Sequence, residues 1–328
     1  MFRLACDSLL LMIAPVVLLA FTLMAQSVQI TKTAYAGWPN CYKMTNGQVE
    51  LVVTTDIGPR VIRYSFVNGQ NIFKEFPEQL GKTGEKVWQA RGGHRLWIAP
   101  EAVPESYALD NAPVKADVQN DSITLTSAVE AETGLEKQIV VKMDTGGNAT
   151  VTHRLRNATS KTRELAPWAL TMMAQGGTGI TGFPPRSKHM DVLTPTNPLV
   201  MWGFTNFSDP RWTFTQKYLL LRQDPKATTP QKVATFNPET WGAYLLGSDL
   251  FIKRYTAIKD GQYPDMGSSY ETFTNADFLE LETVGPLVKL AKGATTEHVE
   301  RWSLHKGVAV KAWTDAELDR VFDALKGH

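Results

Sequence analysis

The chain has 328 residues, with 34 Lys plus Arg against 33 Asp plus Glu, and a formal charge of +1 at pH 7. So balanced a chain carries no electrostatic footprint for nucleic acid, and its two cysteines exclude a disulfide framework. Nine tryptophans, nine tyrosines and fourteen phenylalanines are generous for a near-neutral chain and can supply flat apolar walls to a binding site.

The first segment reads as an export leader. Arg3 precedes an apolar run from Leu9 to Ala25, broken only by Pro15 and Thr22, and small residues follow at Ala34-Tyr35-Ala36. The A-x-A pattern places cleavage after Ala36, with a cut nearer Ala25 or retention as a short anchor as the alternatives. A leader of 1–36 makes residues 37–328 the mature domain, 292 residues with no net formal charge and Cys41 as their sole cysteine. No later stretch is long and apolar enough to span a bilayer. The expected location is periplasmic or secreted.

Beyond the leader, strand signals dominate. Val49 to Thr55 and Arg60 to Phe66 are β-rich, followed by the turn Asn68-Gly69 and a returning run ending at Ile72-Phe73. Val114 to Val118 and Ile123 to Ser127 flank Asn120-Asp121, and Leu135 to Met143 and Ala149 to Leu155 flank Gly146-Gly147. Further strands are predicted at Glu164 to Met173, Phe214 to Leu221, Trp241 to Leu246, Leu250 to Tyr255, Tyr270 to Thr274, Phe278 to Thr283 and Val299 to Leu304. Gly176 to Pro210 is rich in Gly, Pro, Thr and Asn and reads as a long surface excursion of the kind that binds ligands.

Only the C-terminus reads as helical. Thr314 is its N-cap, Glu317 completes a capping box, and Leu318, Val321, Phe322 and Leu325 form one stripe for docking on a sheet edge. With no solenoid repeat and no break in composition, the prediction is one large, mainly antiparallel all-β domain with a C-terminal helix.

Two segments concentrate chemistry. In Phe278-Leu279-Glu280-Leu281-Glu282-Thr283, period-two alternation sets Glu280 and Glu282 about 7 Å apart on one strand face, as a site would or as a solvated sheet face would. Glu271 closely precedes it, after a loop containing Asp265, and is a possible third carboxylate; a turn residue and a solvated acid are the plainer readings. Gly92-Gly93-His94-Arg95-Leu96-Trp97-Ile98-Ala99-Pro100-Glu101 brings together a histidine, an arginine, an indole and an acid. Arg95 and Trp97 share one face of that strand, where an indole covers a sugar's C–H face and a guanidinium donates to its hydroxyls. The alternative is a core Trp97 with Arg95 paired to Glu101. His153 alternates with Val151 and Leu155 and reads as a buried, hydrogen-bonded core residue. The remaining histidines lack ligand spacing, so no metal and no cofactor is expected. Nucleophile-elbow, zincin and phosphate-loop motifs are absent.

Gly92 to Glu101, then Ala166-Pro167-Trp168-Ala169-Leu170-Thr171, then Leu279 to Leu287 resemble an uncharacterised bacterial family with a galactose-mutarotase-like fold. More distantly the chain is similar to aldose 1-epimerases, whose catalytic glutamate sits in a Leu-Glu-Thr-Gln segment. Here Leu281-Glu282-Thr283 takes that place, with Pro286 and Leu290-Ala291-Lys292-Gly293 following. The resemblance implies a β-supersandwich, a sugar ligand and Glu282 as base. It also implies a general-acid histidine where this chain has Trp168, and an indole cannot exchange that proton.

Three functions follow as expectations. The first is an exported sugar 1-epimerase with Glu282 as base, Glu280 raising a neighbouring pKa, and His94 as acid across the sugar. The second is a glycoside-cleaving or lyase-type enzyme using Glu271, Glu280 and Glu282. The third is a non-catalytic carbohydrate-binding protein in which Arg95, Trp97 and Trp168 bind a small sugar or oligosaccharide.

Overall fold

A computed structural model describes residues 27–184 and 186–325. The predicted leader run Leu9 to Ala25 lies outside them. Two large sheets, antiparallel at every pairing, face each other. The first orders its strands Gln29–Tyr35, Trp38–Thr45, Val49–Thr54, Arg60–Phe66, His94–Ala99, Arg163–Met173, Leu279–Val284, Tyr270–Thr274, Gln231–Thr235 and Leu199–Met201, with Val288–Leu290 paired to the start of Arg163–Met173. The second orders Trp212–Phe214, Tyr218–Arg222, Thr178–Gly182, Trp241–Leu246, Asp249–Tyr255, Thr295–His305, Ala149–Asn157, Leu135–Met143, Ser122–Val129 and Lys115–Val118.

The main core lies between the sheets. Leu51, Tyr64, Leu279 and Leu281 from one meet Ile139, Val151, Phe251 and Trp302 from the other, and Phe73 packs edge-on against Trp302 at 5.5 Å. Ala149–Asn157 alternates buried and half-exposed residues along its whole length, the signature of a strand with one covered face. Leu279–Val284 is buried at all six positions, so both of its faces are covered. That removes the solvated-face reading of the two glutamates.

Several predicted elements change in detail. Phe214 to Leu221 is a hairpin of two short strands, because Thr215 closes a turn by donating its N–H to the Tyr218 carbonyl at 2.9 Å. Ile72-Phe73 makes a single bridge to Met173 instead of a strand. The excursion after Gly176 contributes Thr178–Gly182 to the second sheet and Leu199–Met201 to the edge of the first.

The helix Asp315–Asp323 covers the outer face of the second sheet, not its edge. Leu318, Val321 and Phe322 pack on Ile180, Leu220, Trp241 and Ile252, which come from four adjacent strands. Half of the capping box is present: the Thr314 hydroxyl accepts from Glu317 N. The Glu317 carboxylate reaches Lys311 N and Arg320 instead of the cap residue.

Near the amino end, Gln29–Tyr35 pairs with Trp38–Thr45 through Ala36 (φ 49°) and Gly37 (φ 92°), two positive-φ residues as a tight hairpin turn requires. A cut after Ala36 would therefore sever the hairpin at its turn, whereas a cut near Ala25 leaves it whole.

Candidate active site

The outer face of the first sheet carries the site. Register fixes who meets whom: Arg95 lies opposite Leu170, Leu170 opposite Glu282, and Glu282 opposite Glu271. One row away, Met172, Glu280, Phe273 and Lys232 line up across four strands, and on the other side Trp97 pairs with Trp168. Because alternate residues share a face, all of these side chains project outward together. Gly92 and Gly93 set the entry angle of the His94–Ala99 strand. Both have positive φ, and a Cβ on Gly93 would lie 2.3 Å from the Val61 carbonyl oxygen. The glycine pair thus serves a close approach of backbone to backbone.

Three carboxyl groups are buried here around one ammonium. Lys232 Nζ lies 2.7 Å from Glu271 Oε2 and 3.2 Å from Glu282 Oε2, and the Trp168 indole donates to Glu282 Oε2 at 2.9 Å. Burial by itself would lower the Lys232 ammonium, but Glu271 and Glu282 hold it far above its usual value. It also sits over the rings of Trp168 (4.9 Å) and Trp202 (4.6 Å). Glu280 has no such partner. Burial, reinforced by the Glu282 charge, pushes its carboxyl up to about 8 against the pull of Arg95 and Lys232. Glu271 is likewise raised to about 8, by burial first and with Lys232 opposing.

Two adjoining cavities open above this floor. One of about 290 Å³ is walled by Trp88, Trp97, Trp168, Trp202, Phe273 and Phe278, with Arg95, Lys232 and Glu280 at its base. The other, about 340 Å³, is lined by Glu101, Asp265 and Glu271 and shares Tyr107, Trp168 and Trp202 with the first. Glu271 Oε1, Glu280 Oε1 and Glu282 Oε1 have no hydrogen-bond partner, nor do Arg95 Nε and Nη1 or Trp88 Nε1. Native interiors rarely leave such groups unpaired, and their concentration at one place makes this the candidate ligand site. A larger cavity of about 400 Å³, near Phe183 and Trp241, has no such floor; its Lys217 is already paired with Asp319.

The predicted site residues divide cleanly. Glu271, Glu280, Arg95, Trp97, Trp168, Glu101 and Asp265 border these cavities. Asp265 holds a left-handed backbone (φ 49°) in the loop before Tyr270–Thr274, and Glu101 is exposed at the rim and accepts from the Tyr107 hydroxyl, not from Arg95. Glu282 is on the expected face but lines neither cavity: its Oε2 is held by Trp168 and Lys232, and Glu280 and Glu271 line the cavities instead.

His94 goes the other way. Alternation that sends Arg95 outward sends His94 into the inter-sheet core, where it meets Thr171 Oγ1 at 2.8 Å and His153 Nε2 at 2.6 Å. It cannot straddle a ligand with Glu282. Burial holds His94 well below its ordinary pKa, with His153 and Lys253 adding to the effect.

His94, His153 and Glu300 bring ligand-type atoms within 4.8 Å of one another, but the donor set does not fit a metal ion. Glu300 already accepts from Lys253 (2.8 Å), Trp302 (2.7 Å) and Thr283, and the ammonium occupies the cation's place. The cluster is a hydrogen-bonded core.

The sequence reading missed Lys232, Trp88, Tyr107 and Trp202. Trp202 comes from the Gly176 to Pro210 excursion, whose composition predicts a binding loop. Lys232 had no signal beyond a lone lysine in the short β-rich run Gln231–Thr235.

Solved structures share this architecture. The Slr1438 protein of Synechocystis sp. PCC 6803 aligns with a TM-score of 0.55 at 10% identity, covering 84% of this chain and 99% of its own. A galactose mutarotase-like protein from Lactobacillus casei ATCC 334 aligns at 0.54 and 12% identity, over 81% of this chain and 100% of its own. A galactose mutarotase related enzyme from Lactobacillus acidophilus gives 0.53 and 10%, over 82% and 98%. The fold is therefore the galactose-mutarotase-like β-sandwich, as the sequence resemblance implied. No protein-family model and no curated protein matches the chain.

Two stability measurements test this electrostatic picture. Lys232→Met leaves Glu271 and Glu282 without their shared cation, a change of about 3–5 kcal/mol for a broken buried pair. Urea unfolding at pH 8 should show that loss, and it should shrink at pH 5, where Glu271, raised to about 8, carries a proton. Glu280, raised from its ordinary 4.5 to about 8, binds a proton in the folded state that the unfolded chain releases. Its contribution is complete below pH 4.5 and lost as pH rises through 8. Thermal unfolding from pH 5 to 8.5 should therefore fall more steeply for the wild type than for Glu280→Gln.

Proposed function

We propose that this chain is a carbohydrate-directed enzyme of epimerase type, acting on the anomeric centre of a sugar bound among the tryptophans. One observation carries the reading: the Glu280 carboxyl, raised to about 8 and with one oxygen unpaired, lies at the base of an indole-walled cavity of about 290 Å³. A proton carrier works best when its pKa lies near the operating pH. Indole faces cover the C–H face of a pyranose, while the floor supplies donors and acceptors to its hydroxyls.

In this reading the ionised Glu280 takes the proton of the C1 hydroxyl. The bond between C1 and the ring oxygen breaks, and the ring oxygen receives a proton from the protonated Glu271 carboxyl. The open-chain aldehyde turns about its C1–C2 bond and closes on the opposite face, reversing both transfers. Glu282, the base suggested by the resemblance to aldose 1-epimerases, here anchors Lys232 and through its charge keeps Glu280 protonatable. The same resemblance to proteins described as galactose mutarotase-like supports the choice of reaction.

A non-catalytic sugar-binding role is the second reading. It is favoured by the position of His94 in the core and by the engagement of Glu282 with Trp168 and Lys232.

Export, read from the apolar run before residue 26, belongs to this proposal. N-terminal sequencing of an exported form should find a start upstream of Gln29, because a start at Gly37 would discard the edge strand. For the reaction, polarimetry or exchange NMR on fresh α-anomers should reveal accelerated mutarotation, reduced about 10²–10⁴-fold in Glu280→Gln. An equal loss in Glu282→Gln with Glu280→Gln unaffected would return the base to Glu282. Binding without any acceleration across a broad panel of sugars would establish the second reading.

A further inference from the structure

Among the described residues four arginines are buried, and three have a carboxylate partner. Arg60 pairs with Asp110 at 2.6 Å, Arg211 with Asp209 at 2.8 Å, and Arg91 with Glu85. Arg95, 2% exposed, is the exception: among the described residues no ion pair holds it, and two of its nitrogens, Nε and Nη1, have no hydrogen-bond partner where each of the other three arginines leaves one. It is also the one of the four that lines the tryptophan-walled cavity.

The geometry around Arg95 explains how an unmatched cation is tolerated and what it awaits. Its guanidinium lies over Trp97 at 4.2 Å and Trp88 at 4.7 Å. Ring contacts of this kind offset part of the cost of burying the cation but accept none of its N–H bonds. A buried guanidinium with free in-plane donors is costly unless a complementary acceptor arrives, and the best-matched acceptor is a planar carboxylate taking two N–H bonds at once. Neighbouring charges do not fill that role. Glu271 and Glu282 are occupied by Lys232, and Glu280 forms no ion pair with Arg95.

We propose that the sugar bound here is a uronic acid, whose carboxylate meets Arg95 while its ring lies against the tryptophans with C1 toward Glu280. The proposal rests on the carbohydrate reading above and narrows it to an acidic monosaccharide. A cavity of about 290 Å³ is at the small end of the range for ligand sites and suits a single ring. Glu280, which burial keeps largely protonated at neutral pH, places no competing anion beside the incoming carboxylate.

The experiment compares sugars that differ only at C6. Binding of galacturonate and glucuronate, of galactose and glucose, and of the hexose 6-phosphates is measured on the full chain by titration calorimetry and ligand-observed NMR. On the wild type, a uronate should bind at least tenfold tighter than its parent hexose and tighter than the 6-phosphate. That gap should narrow in Arg95→Lys, which keeps the charge but not the planar stack, and close in Arg95→Met. Should either variant fail to fold by circular dichroism, the wild-type comparison still decides. Equal or weaker binding of the uronate overturns the proposal and leaves the carbohydrate reading standing. Preference for the 6-phosphate overturns it in favour of a tetrahedral anion. Absence of binding by every sugar overturns both readings together.

Discussion

The ammonium of Lys232 is the charge that lets three glutamates share one buried floor. Taking a carboxylate out of water costs several kcal/mol, and three of them within neighbouring rows of one sheet would repel each other as well. Lys232 lies within 2.7 Å of Glu271 and 3.2 Å of Glu282 and so compensates two of the three. The third, Glu280, has no such partner, and burial raises its carboxyl to about 8, as it does that of Glu271 against the pull of Lys232. Structural necessity and chemical usefulness coincide at this point. The groups that burial keeps from ionising fully, Glu280 and Glu271, are those whose pKa falls where proton transfer near neutrality is easiest.

That arrangement depends on a strand covered on both faces. Outward, Leu279–Val284 presents Glu280 and Glu282 to the cavity floor; inward, it presents Leu279 and Leu281 to the core and Thr283 to a polar cluster. Lys253 donates to the Leu281 carbonyl at 2.9 Å and to Glu300, while Thr283 meets His298 Nε2 at 2.7 Å and also Glu300. These bonds tie the acidic strand to the second sheet from below. A site whose floor is fixed from behind keeps its carboxyl groups in place without contributions from flexible loops.

The walls are built differently. Trp97 and Trp168 stand on sheet strands, 5.4 Å apart and close to perpendicular, while Trp88, Tyr107, Trp202 and Phe204 arrive on connecting segments. Trp168 does two things at once: its ring walls both cavities and its N–H holds Glu282. An indole at that position thus orients a carboxylate, a task a proton-exchanging side chain would perform less permanently.

Sequence by itself determined the β architecture, the single capped C-terminal helix and the shared face of Glu280 and Glu282. These follow from local rules, since side-chain direction alternates along a strand whatever surrounds it. The same rule, applied to His94 and Arg95, already implied that they part company, but which of the two faced the ligand was set by which side of the sheet meets the second sheet. Tertiary structure alone decided that Arg95 goes outward and His94 into the core, that Glu282 lines neither cavity, and that the helix covers a sheet face. It alone brought Lys232 beside acids some forty to fifty residues later in the chain. Pairing across strands distant in sequence is fixed by sheet order and register, which depend on long-range packing that no local pattern encodes.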